Sequence, residues 1–337
     1  MITYADISSP YLLVSELDLV EFSAQSALQL VITDASSATV ISCSYTPVDG
    51  VVRVYDLDRL LSPLIEGVMA DFTFTVNNNS TTFHIVQSRV AISQTGADFI
   101  AGHFLSPVTF TRDTTLQRRE MVTLLCSAAT DVTAACTYVD DDSDVIHTDN
   151  VSLETGLAAG LHEVECSPSL LVNDSLGTLV HYVVRAGDRS MSFRVSPTAT
   201  ARCAMLMRND FGAWEPCYFE GMNEVTPDIT REFVLVGGIQ RPLRVQEQEN
   251  TKSFTGPLRP GEVQLFCSLA RSTDIVLLED GAATDPVVIS GQEVKYTDDD
   301  AHIPSITFTW HRASLRTMMH VPVTPRIFDD TFDETFE

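Results

Sequence analysis

Short runs in which apolar and polar residues alternate recur along the chain, whereas the 3.6-residue spacing of an amphipathic helix is nearly absent. Successive side chains of a strand point to opposite faces of a sheet, so a two-residue period predicts half-buried β-strands. Turn-forming residues lie beside several runs, as at 48–50 and 77–79. The clearest predicted strands are residues 51–55, 71–76, 181–185, 190–195, 232–236 and 305–310. This pattern predicts an all-β fold of the sandwich or barrel type.

Two segments depart from this alternation. Residues 56–66 place leucines at the spacing of one helix face, with Asp56 or Asp58 available as the N-cap residue. Pro63 would interrupt a continuous helix, so we expect two short helical turns there. Residues 261–270 fit either a helix or a strand.

A length of 337 residues suits two or three domains. We expect two to three β-sandwich-like units in tandem, with short helical turns and an extended C-terminal arm. The predicted divisions are an N-terminal β domain at 1–92, a second at 93–205, a third at 206–325 and an acidic, Phe-rich arm at 326–337. Residues 120–127 resemble 262–268 in sequence, which favours the third domain as a repeat of the second.

The chain carries 46 acidic and 21 basic residues, for a formal net charge of −25. Such a charge repels phosphate groups, so we expect no direct contact with nucleic acid. Only Lys252 and Lys295 are lysines. The positive charge is therefore almost wholly arginine, which forms forked pairs with carboxylates at protein interfaces.

No apolar run reaches the roughly 18 residues of a membrane-spanning helix, so we expect no membrane insertion. The first residues lack the basic and apolar regions of a signal peptide, which predicts synthesis in a cytoplasm without export. The seven cysteines are widely spaced and form no C-x-x-C pair, so buried, reduced thiols are expected.

Local catalytic motifs are absent from the sequence. There is no G-x-S-x-G elbow, H-E-x-x-H zinc helix, Walker loop or G-x-G-x-x-G after a strand. The eight histidines show no common ligand spacing. We therefore expect no enzymatic activity, no metal and no cofactor. A glycoside hydrolase needs only two carboxylates placed across a sugar, so polysaccharide hydrolysis stays open as a weaker alternative.

Asp140, Asp142 and Asp144 form the best candidate for a cation site, because their alternate positions match the first half of a Ca²⁺ loop. The glycine and the acid that complete such a loop are replaced by Val145 and Val151. A solvated acidic turn is therefore the favoured interpretation.

Trp214 and Trp310 could stack on sugar rings, although large aromatic side chains in β proteins more often fill a core. Near the C-terminus, Phe328, Phe332 and Phe336 lie four residues apart among acidic residues. Such a peptide buries too little to order alone, so we expect an assembly arm whose phenylalanines fill pockets on a neighbouring protein.

Residues 203–219 are expected to form a hairpin, with apolar residues at 203–207, a turn at Asn209 to Gly212 and a return strand at 217–219. The pattern of residues 206–221 resembles that of prophage tail proteins of Bacteroidetes. Segments 9–13, 21–22 with 45–57, and 328–336 resemble the same family.

That resemblance implies a structural protein of a bacteriophage tail, baseplate or tail tip, located in the virion. Its implied partners are other virion tail proteins and further copies of itself in a symmetric homo-oligomer. A carbohydrate- or receptor-binding tail-tip protein is the alternative, and a polysaccharide hydrolase is the less favoured third.

Overall fold

The computed structural model describes residues 2–108, 111–140, 145–197, 201–259, 262–295 and 304–314. Within this part of the chain the fold is all-β, as the alternation predicts, with three short α-helices. The predicted strands are confirmed; residues 51–55, for example, form one complete strand.

The first two sheets lie within residues 2–86. A five-stranded sheet has the order β2-β8-β7-β4-β5, and a three-stranded sheet has the order β1-β3-β6. Apolar residues from both sheets, such as Phe22, Phe72 and Phe74, fill one core. The elements are β1 (Ile2–Thr3), β2 (Tyr11–Leu13), β3 (Leu19–Ser23), β4 (Leu28–Asp34), β5 (Thr39–Tyr45), β6 (Val51–Tyr55), α1 (Leu57–Leu61), β7 (Met69–Val76) and β8 (Asn79–Val86).

Helix α1 continues into a 3₁₀ turn at Ser62–Leu64, which confirms the two short turns expected around Pro63. Of the two N-cap candidates, the structure selects Asp56. Asp56 occupies the N-cap position, but its side chain makes no capping hydrogen bond. Its backbone is left-handed, with φ of 59°, rather than extended as at most N-caps, and its carboxylate lies 3.3 Å from Arg59 instead.

The next two sheets lie within residues 112–195. A five-stranded sheet has the order β12-β11-β14-β15-β9, and β10 pairs with β13. Inward residues of β11 alternate with exposed or half-buried ones, and Tyr182 stacks on Phe193 with ring centroids 4.7 Å apart. The elements are α2 (Gly96–Gly102), β9 (Arg112–Thr114), β10 (Met121–Cys126), β11 (Thr130–Val139), β12 (Ile146–Leu157), β13 (Gly160–Glu165), β14 (Thr178–Ala186) and β15 (Arg189–Val195).

The last sheet spans residues 203–312 and has seven strands in the order β17-β16-β20-β21-β22-β19-β18. The expected hairpin at 203–219 is confirmed as β16 and β17, with Gly212 in the turn at a φ of 72°. The elements are β16 (Cys203–Arg208), β17 (Trp214–Phe219), β18 (Asn223–Val236), β19 (Ile239–Phe254), α3 (Glu262–Arg271), β20 (Ile275–Glu279), β21 (Ala282–Lys295) and β22 (Ser305–Arg312).

One continuous hydrophobic core joins the second group of sheets, formed by residues 112–195, to the third group, which is the seven-stranded sheet. It extends from Phe104 and Tyr182 to Phe219, Phe308 and Trp310. A smaller cluster, in which Phe99 stacks on Phe211, joins the first group to both. The division into domains at residues 92 and 205 stays a prediction, because no separate core marks the second boundary.

The two best-matching segments of the expected internal repeat form different elements, and the repeat itself stays a prediction. Residues 121–126 form strand β10, whereas 262–271 form helix α3. In β10 residues 122–126 are all buried, as in a strand covered on both faces. In α3 the buried residues are 263, 265, 266, 268 and 269, and the Glu262 carboxylate accepts a hydrogen bond from the Arg259 N–H at the helix start. Two segments of similar sequence thus bury their apolar residues in different ways, one as a strand and the other as a helix.

Candidate assembly interface

Strands β18 and β19 form a hairpin much longer than the sheet that carries it. They contain 14 and 16 residues, and at about 3.3 Å per residue the ribbon is about 45 Å long. Only residues 251–254 of β19 pair with β22. In the part of the chain that the structure describes, the remaining length has no strand beyond its own partner, and both of its edges are open.

A two-residue turn closes this hairpin. Gly237 and Gly238 lie between Val236 and Ile239 with φ of 61° and 78°. A type I′ turn requires positive φ at both of its central residues, and its twist matches that of the paired strands. Glycine adopts these angles without a steric penalty. Leu243 is an extra residue in β19, since Glu232 and Phe233 pair with residues 244 and 242. Such a bulge increases the local twist of the ribbon.

One face of the hairpin carries most of its apolar side chains. By strand alternation Val225, Ile229, Phe233 and Leu235 share this face. Val245 of β19 pairs with Arg231 and lies on the same face. Their exposed fractions run from 44% for Ile229 to 71% for Leu235. The opposite face is polar over most of its length. Side chains of this type are normally buried, so the apolar face is a candidate contact surface.

The distal half of the hairpin is also basic. Residues 229–245 contain Arg231, Arg241 and Arg244 but only one acid, Glu232. Among the described residues none of these three arginines forms an ion pair, whereas arginines of the body such as Arg112 and Arg271 do. The unpaired guanidinium groups are available to carboxylates on another molecule.

A buried ionic network holds strand β17, which precedes the hairpin in the same sheet. Arg112 is 5% exposed and lies 2.9 Å from a Glu215 oxygen and 3.3 Å from a Glu120 oxygen. It also donates to the Pro216 carbonyl. Burial raises the pKa of Glu120, and the Arg112 guanidinium opposes that rise. Burial lowers the pKa of Arg112, but the two carboxylates outweigh burial and raise it above the ordinary arginine value.

Asn209 fastens the β16–β17 turn to the same network. Its amide nitrogen donates to Glu215 and to the Leu105 carbonyl, and its side-chain oxygen accepts from the backbone of residues 211 and 213. Gly212 lies against the Gly67 carbonyl so closely that a Cβ atom would collide with it. Asn209 and Gly212 therefore join the seven-stranded sheet to the rest of the molecule.

A cavity of about 300 Å³, lined by both charged and apolar residues, lies beside this network. Glu220 accepts from Arg118, and Asp113 lies 2.8 Å from Arg259. Burial, together with the nearby Asp113 and Glu220 carboxylates, raises the pKa of Glu262 to about 7. A hydrolase that used this cavity would have to draw its two catalytic carboxylates from Asp113, Glu220 and Glu262. Because Asp113 and Glu220 are already paired with arginine, the arrangement favours a role in joining the sheets.

The two tryptophans contact other residues of the chain. Trp310 is 6% exposed, and its indole N–H donates to the Ser253 hydroxyl at 2.9 Å. Trp214 is half-buried, and the Arg208 guanidinium carbon lies 4.3 Å from its ring centroid. Trp310 is thus a core residue, as aromatic side chains in β proteins more often are, and one face of Trp214 is covered by Arg208.

The remaining candidates fall largely outside the described residues. Asp140 lies directly after β11, but Asp142 and Asp144 lie outside the described part, as does the predicted assembly arm with Phe328, Phe332 and Phe336. Three other carboxylates, those of Asp18, Asp56 and Asp58, lie within 4.8 Å of one another. Asp18 lies far from the other two in the sequence, so spacing did not identify the group.

Comparisons with known proteins find no matching family model and no matching curated protein. A solved structure, "Virion of native gene transfer agent (GTA) particle", aligns at 10% identity and a TM-score of 0.21, over 30% of this chain and 85% of its own. The structure of E. coli alpha-2-macroglobulin aligns at 9% identity and a TM-score of 0.16, over 80% of this chain and 22% of its own. These scores are too low to bear on fold or function. None of the helices in the described residues is long and apolar enough to cross a membrane.

Proposed function

We propose that this chain is a non-enzymatic structural protein of a bacteriophage tail or baseplate, which joins other virion proteins through the β18–β19 hairpin. The observation that carries the proposal is the hairpin itself, a ribbon about 45 Å long that exposes an apolar face and two open edges. An isolated two-stranded hairpin is marginal in water, so this one is expected to gain much of its stability from a partner. The resemblance to prophage tail proteins of Bacteroidetes supplies the virion setting.

Removal of the distal hairpin tests the proposal. Residues 228–248 are deleted, and 227 is joined to 249 through Asn-Gly, which keeps the 227–249 pair in register. Both tryptophans lie nearer the base, so their fluorescence reports whether the sheet is still folded. The shortened chain is expected to fold and to be excluded from particles assembled with the co-expressed tail proteins. Normal incorporation would overturn the proposal.

Carbohydrate binding is the weaker alternative. Trp310 is buried, and the remaining candidate, Trp214, is half-buried under Arg208. A glycan array separates the two functions, because binding that is lost in Trp214→Ala would favour receptor recognition. Polysaccharide hydrolysis is tested by turnover with wild type and Glu262→Gln, and we expect none for either.

A further inference from the structure

We infer that the partner of the hairpin is a second copy of this chain, arranged head to tail, so that the arginine-bearing distal half lies on the acidic body of the neighbour. This inference rests on the proposed function and names the partner of the same surface.

The charge of the distal hairpin is opposite to that of the rest of the chain. Residues 229–245 hold three of the 21 basic residues and one of the 46 acidic residues. The rest of the chain therefore carries a negative charge even larger than the overall −25. A surface that combines exposed apolar side chains with unpaired arginines fits a carboxylate-rich protein surface, and another copy supplies one at equal concentration.

The hairpin does not reach its own body. Beyond residue 251, toward the tip, β19 no longer pairs with β22, and residues 224–249 are exposed. Two hairpins packed tip to tip would bring the arginines of both copies together, and such like-charge contact is unfavourable. The tip of one copy is therefore placed on the body of the next. A contact of this kind joins two different surfaces, and it closes into a ring when the rotation between copies allows it.

The size of the hairpin bears on the extent of this contact. The distal half of a ribbon about 45 Å long and roughly 10 Å wide offers roughly 225 Å² on each face, and roughly 450 Å² when both faces are covered. A standard specific interface takes about 800 Å² from each partner. The distal half therefore supplies about half of one side of such an interface, and residues outside it must supply the rest.

Charge reversal on the hairpin tests the inference. The purified full-length chain is compared with the triple variant Arg231→Glu, Arg241→Glu and Arg244→Glu by light scattering after size exclusion, over a range of protein concentrations. Wild type is expected to form an oligomer of fixed mass that weakens as salt rises, because exposed charges are screened. The triple variant is expected to associate at least tenfold more weakly.

A second triple variant controls for overall charge. It reverses three exposed arginines outside the hairpin and changes the net charge by the same amount: Arg59→Glu, Arg185→Glu and Arg202→Glu. Association close to that of wild type is expected. Equal weakening by the two triple variants would overturn the inference, because it would show a general charge effect.

Mixing distinguishes the head-to-tail arrangement. The hairpin variant can still accept the tip of a wild-type chain but cannot offer its own. An excess of it should therefore cap wild-type oligomers and lower their mass, and an unchanged mass would overturn the inference.

Different results would overturn the second-copy inference and the proposed function. If wild type stays monomeric up to about 100 µM while the shortened chain is excluded from particles, the hairpin binds a different virion protein. The second-copy inference is then wrong and the proposed function stands. If the shortened chain incorporates normally, the proposed function itself is wrong.

Discussion

Replacement of Arg112 by methionine should be far more costly than the same change at a surface ion pair. Arg112 is buried between Glu120, which is 0% exposed, and Glu215, which is 3% exposed. Removing the cation leaves two buried carboxylates without their partner, which typically costs about 3–5 kcal/mol. Arg53 forms a shorter pair with Glu21, at 2.7 Å, but half of its side chain is exposed. Arg53→Met should cost about 1 kcal/mol or less.

Urea unfolding followed by tryptophan fluorescence measures this difference, because Trp214 and Trp310 both lie in the seven-stranded sheet that the network supports. With a slope of about 2–3 kcal/mol per molar urea, the midpoint of Arg112→Met should fall by about 1–2 M. Neutralising both acids as well, through Glu120→Gln and Glu215→Gln, should recover part of the loss. A loss for Arg112→Met within about 1 kcal/mol of that for Arg53→Met would refute the reasoning.

The loss should also depend on pH. Without Arg112, the pKa of Glu120 in the folded chain should rise further above its unfolded value, because burial already raises it and the opposing guanidinium is gone. A carboxyl with a raised folded pKa stabilises the folded state at low pH, and this contribution is lost as pH rises. Arg112→Met should therefore be more destabilised at pH 8 than at pH 5. An equal loss at both pH values would contradict this.

Three further predictions concern the seven-stranded sheet and helix α3. Gly212→Ala should cost about 3 kcal/mol, because the positive φ and a backbone collision combine. Gly187 is also at positive φ but faces open space, so Gly187→Ala should cost about 1 kcal/mol. Equal costs for the two variants in urea unfolding would contradict the collision. Ser253→Ala should cost about 1–3 kcal/mol, because it leaves the buried Trp310 N–H without its acceptor, and an unchanged urea midpoint would argue against that hydrogen bond. Glu262 has a folded pKa of about 7, above the ordinary 4.5, so its contribution to stability is present below about pH 4.5 and lost as pH rises through 7. Glu262→Gln should flatten the urea midpoint between pH 5 and 7.5, and an unchanged slope there would assign the dependence to another group.

Local pattern was enough to predict the strands and the hairpin at 203–219. Alternation and turn residues act over a few positions, so residues 51–55 and the turn at Gly212 follow from the sequence alone. The ambiguous segment 261–270 shows the limit of such patterns, because a short apolar run fits either period. Its helical outcome depends on the surfaces that cover it.

The features that matter most for the proposed interface were only partly visible in the sequence. The signal for the long hairpin was present, since Gly237 and Gly238 separate two apolar runs, but only residues 232–236 were predicted as a strand. Alternation also implies a half-buried strand, so the exposure of both faces could not be predicted. The network around Arg112 joins residues about a hundred positions apart and leaves no local pattern.

The shared core of the second and third groups of sheets bears on how the chain is made. Phe219, Phe266 and Phe308 belong to the cluster that also contains Tyr182 and Phe193. At about 5–20 residues per second, a ribosome needs about 5–20 s to reach residue 308 after it has completed β15. Through that interval part of the apolar surface of the second group has no cover. Chains truncated near residue 205 should therefore be prone to aggregation, and the nascent chain is expected to need chaperones most in this window.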